Sequence, residues 1–215
     1  MGKLPTAPGQ RVYMLPVTDY FTKWVEAEAY HQVYDREVKI FIWKNVICHF
    51  GVPKEIVTKN GSQFISFNFQ DFCKEWGIKL SFSNPHYPKS NGQAESTNKT
   101  FIKIIKKRLK KAKGLWVDEL TGVFWAYRTT THTSLGETPF SLAYGTEVVI
   151  PIECGIPFVR YIWLNEDTNQ ELLNHNLDAF DELHDKAHLR TTFYQHKAAQ
   201  HYNKNIRVRT FKIGD

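Results

Sequence analysis

Two segments near the start of the chain contain strand-forming residues in a largely alternating apolar and polar pattern. They are Arg11–Tyr20 and Trp24–Tyr30, and the pattern is typical of strands with one buried face. From Asp35 to Phe50 the spacing changes, because apolar residues recur every four positions until Gly51. This part of the sequence therefore predicts two strands followed by a helix that Asp35 caps at its N-terminus.

In the middle of the chain, strand-like and helix-like spacings of apolar residues follow one another. Glu55–Lys59 and Ile78–Ser83 are predicted as short strands, and helices are predicted over Phe67–Trp76 and Leu115–Thr131. Strands that alternate with helices favour an α/β layer fold. Two aromatic residues of the last helix are predicted to pack rather than to stack on bases, namely Trp125 and Tyr127.

The patterns divide the chain into four parts. Residues 1–147 form the α/β domain, and residues 148–165, which contain Pro151, Gly155 and Pro157, are a predicted linker. Residues 166–205 are polar and helical in pattern, and residues 206–215 follow as the last part. The helical part carries a possible partner-facing stripe that consists of Leu172, Leu173, Leu177, Phe180, Leu183 and Leu189.

Charge and cysteine content narrow the class of protein. The 215 residues carry a formal net charge of +6 and give a pI of about 9.1, which favours an anionic partner such as nucleic acid. The three cysteines (Cys48, Cys73 and Cys154) show no paired spacing, which is typical of a reducing compartment without structural zinc. The sequence shows no signal peptide and no apolar run of about 18 residues, so we expect neither secretion nor a membrane partner.

The strongest electrostatic feature is a predicted helix over Gln93–Lys113. Between Ser96 and Val117 there are seven lysines and Arg108 but no acidic residue. Several of these lysines share one helical face with Glu95, namely Lys99, Lys103, Lys106 and Lys110. Such a face either contacts a phosphate backbone, which releases counterions, or is simply solvated.

Two motifs in the middle of the chain stand at a defined separation. The first is Val-Thr-Lys-Asn-Gly-Ser-Gln-Phe at 57–64, and the second is Asn-Pro-His-Tyr-Pro-Lys-Ser-Asn-Gly-Gln-Ala-Glu-Ser at 84–96. Thirty-five residues lie between Lys59 and Glu95. The combination resembles the catalytic core of retroviral-type integrases, specifically those of gypsy-type long-terminal-repeat retrotransposons. In that family the first motif ends a strand with Asp, and the second begins a helix that carries Glu.

The resemblance implies an α/β fold of the ribonuclease H-like type, a mixed sheet flanked by helices and followed by a C-terminal helical extension. The first ten residues resemble the end of the family's first, central strand, so most of that strand and the first catalytic Asp are expected to lie before Met1. The final Gly-Asp resembles the entry into a small C-terminal β module. Both ends of the parent enzyme are therefore expected to be truncated, and the strands beside the missing one are expected to have unpaired edges.

The resemblance also implies a site at which three carboxylates hold Mg²⁺ or Mn²⁺. Lys59 stands where the family has its second Asp, and an ammonium group has no lone pair for a metal. Two-metal phosphoryl transfer needs anionic oxygens around cations about 3.5–4 Å apart. Because only Glu95 of the triad remains, we expect a catalytically defective chain that holds no functional metal. Asp19 is the leading substitute carboxylate, but its position between the two predicted strands favours a role in shaping the turn.

By resemblance, the partner is DNA, which is bound without sequence specificity through its phosphate backbone. The residues predicted to contact it are His86, Tyr87, Asn91, Gln93, Lys99, Lys103, Lys106, Lys107 and Lys110. The family further implies a homo-oligomer and a nuclear or cytoplasmic location. Two alternatives remain open, a non-catalytic nucleic-acid-binding module and a decayed element remnant without a function or a stable fold.

Overall fold

The computed structural model describes residues 3–83, 115–148, 174–175 and 177–204. The chain divides into two compact units, Met1–Arg128 and Thr129–Asp215. Nearly all of the predicted linker lies outside the described residues, so the four-part division of the chain stays a prediction. No helix in the described ranges is long and apolar enough to cross a membrane.

The first unit begins with the two predicted strands, paired as an antiparallel hairpin. Strand β1 is Tyr13–Thr18, and β2 is Val25–Tyr30. The backbone N–H of Asp19 donates to the carbonyl of Trp24 at 2.8 Å and closes the connection. On β2, alternate residues are buried among apolar side chains, as the alternation of the sequence predicts.

The predicted helix from Asp35 to Phe50 is present, but it is not a uniform α-helix. Helix α1 (Asp35–Ile42) continues into a π-helical segment (Trp43–Ile47) and a short α-helical turn that ends before Gly51. The prediction that Asp35 caps the helix is wrong, because the cap residue is Tyr34, whose backbone N–H donates to Glu37 Oε2 at 3.0 Å.

The next two strands are parallel and are joined through helices. Strand β3 is Glu55–Thr58, and β4 is Lys79–Phe82. Between them lie a short helix α2 (Ser62–Ile65), which the sequence pattern did not predict, and the predicted helix α3 (Phe67–Glu75). Ser66 caps α3, because its side chain accepts a hydrogen bond from the backbone N–H of Phe69 at 3.2 Å.

The four described strands form two separate two-stranded sheets, one antiparallel and one parallel. Among the described residues, no strand joins β1 to β3. The two sheets nevertheless share one hydrophobic cluster, because Leu15 of β1 is buried in it and Ile56 of β3 and Leu80 of β4 pack against it. The remaining buried members of this cluster come from α1, α3 and the approach to β4, namely Val38, Phe41, Ile42, Phe69, Cys73 and Ile78.

A second cluster covers the opposite face of the hairpin. Met14 of β1 enters it, whereas the adjacent Leu15 faces the first cluster, as the alternation of a strand requires. Helix α4 (Leu120–Arg128) closes this face together with the buried Trp116, whose indole N–H donates to the carbonyl of Pro5 at 2.7 Å. The hairpin therefore lies between two helical layers.

The second unit contains a short helix α5 (Pro139–Tyr144) and a long helix α6 (Phe180–Asn203). Thr138 caps α5 by accepting from the backbone N–H of Ser141 at 2.9 Å. His184 of α6 lies with Nε2 2.9 Å from the carbonyl of Leu142. Of the predicted partner-facing stripe, Leu177 and Leu189 are 63% and 71% exposed, and Leu172 and Leu173 lie outside the described residues.

Candidate functional site

The parallel pair β3–β4 defines one edge of the candidate site. Thr58 is the partner of Phe82 in the register, and the backbone N–H of Ser83 donates to the carbonyl of Thr58 at 2.8 Å. The carboxyl ends of parallel strands meet at the same edge of a sheet. Lys59, directly after β3, and Ser83, directly after β4, therefore lie at the same edge of the sheet.

Lys59 is exposed at this edge, in the position that the first motif predicts. Its backbone carbonyl accepts from the N–H of Gly61 at 2.8 Å, which starts the turn into α2. The preceding Thr58 is buried, and its Oγ1 has no hydrogen-bond partner among the described residues. The strand end thus presents an ammonium group, which has no lone pair for a metal ion.

The other predicted site residues lie outside the described residues. They are Glu95, His86, Tyr87, Asn91, Gln93, Lys99, Lys103, Lys106, Lys107 and Lys110. Their roles stay predictions. Within the described ranges, no group of three or more His, Cys, Asp or Glu side chains could hold a metal ion.

Asp19 is committed to the turn between β1 and β2. Its Oδ2 accepts hydrogen bonds from the backbone N–H of Phe21 at 3.1 Å, from the N–H of Thr22 at 2.7 Å and from the hydroxyl of Thr22 at 2.8 Å. The prediction that Asp19 shapes the turn is confirmed. A carboxylate oxygen that already accepts three hydrogen bonds is a poor substitute ligand for a metal.

The same turn buries a lysine that the sequence pattern did not single out. Lys23 has a φ of +63° and is 8% exposed, and its Nζ donates to the carbonyl of Tyr20. Burial lowers the pKa of Lys23 from 10.5 to about 8, and the nearby Asp19 carboxylate opposes this shift. The hydrogen bond to Tyr20 holds the turn, but burial of the charged ammonium group lowers the stability of the folded chain at pH values below about 8.

A polar cluster joins β2 to the π-helical segment. Glu28 Oε1 accepts from Asn45 Nδ2 at 3.0 Å and from Lys44 Nζ at 3.1 Å, and Glu28 Oε2 accepts from the Tyr30 hydroxyl at 2.8 Å. Burial acts to raise the pKa of Glu28, but these hydrogen bonds and the Lys44 charge lower it below its usual value. Burial and the Glu28 carboxylate raise the pKa of Tyr30.

The Glu28 cluster could not be found from motifs, because its members are distant in sequence. Asn45 lies 17 positions after Glu28, and the sequence around it shows only helical spacing. The π-helical segment is a weak structural signal for the cluster, since π-helical turns are rare and are frequent at functional sites. The cluster attaches the α1 region to the edge of the hairpin and does not resemble a metal site.

The predicted packing roles in α4 are half right. Tyr127 is 5% exposed and belongs to the second core cluster, whereas Trp125 is 41% exposed and lies outside that cluster. The difference follows from the helix, since residues two positions apart point to different sides of it.

Sequence comparisons connect the chain to mobile elements. Residues 2–88 match the family model described as Integrase core domain. The Tf2-3 and Tf2-4 transposon polyproteins of Schizosaccharomyces pombe are each 31% identical over 123 residues, a match that covers 57% of this chain and 9% of each polyprotein. The chain therefore spans less than a tenth of the length of the curated relatives it matches.

Structure comparisons show the fold. A chain in the simian T-cell lymphotropic virus intasome in complex with PP2A regulatory subunit B56 gamma matches with a TM-score of 0.57 and 23% identity, over 69% of this chain and 58% of its own length. The HTLV-2 integrase catalytic core domain in complex with magnesium, in a trimeric form, matches with a TM-score of 0.51 and 23% identity, over 66% and 98%. The predicted ribonuclease H-like fold is confirmed: the chain has the fold of an integrase catalytic core, and its residues 2–88 match the integrase core domain.

Proposed function

We propose that this chain is an integrase core of gypsy-type retrotransposon lineage that binds DNA but does not join DNA strands. The observation that carries the proposal is Lys59, exposed at the end of β3 in the position of a family carboxylate. The match to the integrase core domain over residues 2–88 supports the lineage. The proposed loss of strand joining follows from the chemistry of the Lys59 ammonium group, which cannot ligate a metal ion.

Metal-dependent joining needs oxygen ligands, and the residues of this chain do not fit that need. Mg²⁺ and Mn²⁺ would polarise a phosphate and activate the attacking oxygen if three carboxylates held them. At the matched positions the chain has Lys59 and Glu95, while Asp19 is bound into its turn. A lysine ammonium also repels a nearby divalent cation, so it removes a ligand and adds an unfavourable charge.

DNA binding requires no metal and remains compatible with Lys59. The segment from Ser96 to Val117 supplies seven lysines and Arg108 without an acidic residue. Contacts of such groups with phosphates release counterions and are independent of base sequence. We therefore assign non-specific backbone contacts to this segment, including Lys103 and Lys107.

Assembly and location follow from the same lineage. The HTLV-2 integrase core is described in a trimeric form, which supports a homo-oligomer for this chain as well. Integration takes place on nuclear DNA, so a nuclear or cytoplasmic location suits the proposed function. Both parts of the proposal can be examined by size-exclusion chromatography with light scattering and by localisation of a tagged chain.

A strand-transfer assay with Mg²⁺ or Mn²⁺ tests the catalytic part of the proposal. The wild-type chain should join no more DNA than a Glu95→Gln variant. Lys59→Asp alone should also remain inactive, because Asp19 stays bound to Phe21 and Thr22. Metal-dependent joining by the wild-type chain above the Glu95→Gln control would overturn the proposal, and joining by Lys59→Asp would identify a third carboxylate.

Fluorescence anisotropy with labelled duplex DNA tests the binding part. Affinity should fall steeply with salt, and Lys103→Glu with Lys107→Glu should weaken binding and reduce the salt slope by about 0.9 for each cation removed. Lys3→Glu with Lys74→Glu gives the same change of charge at exposed positions elsewhere and serves as the control. A salt-independent affinity would contradict electrostatic binding.

The alternative is a decayed element remnant without a stable fold. The observation that favours it is that the described strands form two two-stranded sheets and no larger sheet, so that each sheet depends on the helices packed against it for its stability. The chain's six tryptophans allow thermal unfolding to be followed by fluorescence. A cooperative transition would exclude the remnant, and a featureless melt would support it.

A further inference from the structure

Charges are segregated along α6 in the second unit. Its acidic residues are in the first turns and end at Asp185, whereas Lys186, Arg190, Lys197 and Lys204 follow without any acid to the end of the helix. Acids near the N-terminus and bases near the C-terminus suit the helix dipole. The dipole acts only within the first and last turns, so it does not account for cations in the middle of the helix.

These cations are concentrated on one side of the helix. The positions 190, 193, 197, 200 and 204 recur every three or four residues, which places them on one face over about 21 Å. We call Arg190, Phe193, Lys197, Gln200 and Lys204 the α6 cationic face; all five are exposed. A different side of α6 is packed, where Ala187 is 0% exposed and Thr191 and Tyr194 are half-buried.

The cations of α6 differ in their ion pairs with the other described residues. Lys186, one turn before the face begins, pairs with Glu182 at 2.6 Å. In the described part of the chain, no ion pair involves Lys197 or Lys204. Two cations about two helical turns apart therefore remain available to an anionic partner.

An aromatic ring lies between the cations. Phe193 is 64% exposed, and its ring centroid is 5.9 Å from that of Tyr194 in an edge-on arrangement. Cations interleaved with an exposed aromatic ring match single-stranded nucleic acid, because phosphates pair with the cations and an unstacked base stacks on the ring.

We propose that the α6 cationic face binds a single strand of nucleic acid, with phosphates at Lys197 and Lys204 and a base on Phe193. Its residues differ from the lysines of the segment 96–117, which lies elsewhere in the sequence. The inference rests on the proposed function only for the class of partner.

The test uses the full 215-residue chain and a fluorescein-labelled, mixed-sequence, 20-nucleotide single-stranded DNA, with anisotropy measured over a series of salt concentrations. Lys197→Glu with Lys204→Glu should lower affinity at least tenfold and reduce the salt slope by about 1.4, since each contact with a single strand contributes about 0.7. Lys3→Glu with Lys74→Glu is the control for net charge and should change affinity less than twofold. Circular dichroism confirms that each variant keeps its helix content.

A second variant separates stacking from charge. Phe193→Ala should lower single-strand affinity about fivefold or more, because base stacking on an aromatic ring is sequence-tolerant and strong, and should leave duplex affinity unchanged. Phe193→Trp should retain single-strand binding. Equal losses for single-stranded and duplex DNA would overturn the stacking role.

The same anisotropy measurement on the double variant Lys103→Glu with Lys107→Glu separates this inference from the proposed function. If that variant loses binding and Lys197→Glu with Lys204→Glu does not, binding by the α6 cationic face is refuted and the proposed function stands. If only the α6 variant loses binding, the inference stands and the assignment to residues 96–117 fails. Losses in both variants support two contact surfaces on one chain.

Discussion

Arg128 and Glu26 form an ion pair with a distance of 2.7 Å, and their side chains are only 20% and 18% exposed. The same guanidinium donates to the carbonyl of Val25 at 2.6 Å and lies 4.2 Å from the centroid of the Trp24 ring. All of these contacts join the end of α4 to β2. Arg128 is therefore the polar anchor of the helix that closes the second core cluster.

Arg128→Ala should lower the free energy of unfolding by about 2–4 kcal/mol, because it leaves the largely buried Glu26 carboxylate without its partner. Urea unfolding followed by circular dichroism measures the change. Lys79→Ala is the matched control, since it breaks a 3.1 Å pair with Glu55 in which the lysine is 70% exposed. That control should cost much less than Arg128→Ala, because an exposed ion pair contributes little to stability, and equal losses for both variants would contradict the anchoring role.

Lys23 should make stability depend on alkaline pH. Its pKa is about 8 in the folded chain and 10.5 when unperturbed, so between these values the unfolded chain binds a proton that the folded chain does not. Stability contributed by Lys23 therefore rises with pH across this window and is lost as the pH falls through about 8. Lys23→Met should remove this rise when unfolding is measured between about pH 7.5 and 9.5.

The comparison must be made as a difference between variant and wild type. Burial raises the pKa of Cys73 from 9.0 to about 11. The folded chain then keeps a proton that the unfolded chain loses, so this group lowers stability as the pH rises above about 9. The Cys73 effect cancels in the difference profile. A flat difference between Lys23→Met and wild type would refute the prediction for Lys23.

The Glu28 cluster should stabilise the attachment of the α1 region to the hairpin. Glu28→Ala leaves the Asn45 amide and the Tyr30 hydroxyl without their acceptor and should cost about 2–3 kcal/mol of unfolding free energy. A double-mutant cycle with Asn45→Ala should show a coupling above about 0.5 kcal/mol. Additive losses would mean that the hydrogen bond contributes nothing beyond the separate side chains.

Gly145 should resist replacement in the second unit. It adopts a φ of +73° after α5, and a Cβ there would lie 3.0 Å from the ring of Phe180. Gly145→Ala should lower the melting temperature by several degrees through left-handed backbone strain of about 1–2 kcal/mol and the displaced ring. Gly77→Ala has a similar positive φ, +66°, but open space around the added Cβ. It should cost less, and a larger loss at Gly77 would contradict the role of Phe180.

Periodicity was sufficient for most of the first unit. The strands ending at Thr18, Tyr30 and Thr58 lie inside their predicted ranges. In the strands ending at Tyr30 and Thr58, one face is more buried than the other, which produces the alternation in the sequence. Two details of this unit were not predicted, because each depends on the backbone conformation of only a few residues. Helical spacing alone does not distinguish the π-helical segment at Trp43–Ile47 from an α-helix, and α2 has only four residues, too few to show a period.

The candidate site was predictable only where a motif is contiguous. The position of Lys59 at the end of β3 follows from the first motif and the strand pattern together. The ion pair of Arg128 with Glu26 and the cluster at Glu28 did not, because their partners are brought together by packing and no local pattern marks them. The α6 cationic face required the exposure of Phe193, which sequence spacing does not provide.

The hydrogen bond from Trp116 to the carbonyl of Pro5 joins residues 111 positions apart. The β1–β2 hairpin and the β3–β4 unit need only short loops, so their closure costs little chain entropy and they can form early during folding. Docking of Trp116 requires a much longer closure and is expected to come late. Replacing Trp116 should then accelerate unfolding while leaving the folding rate nearly unchanged. This bond would therefore govern the lifetime of the folded first unit.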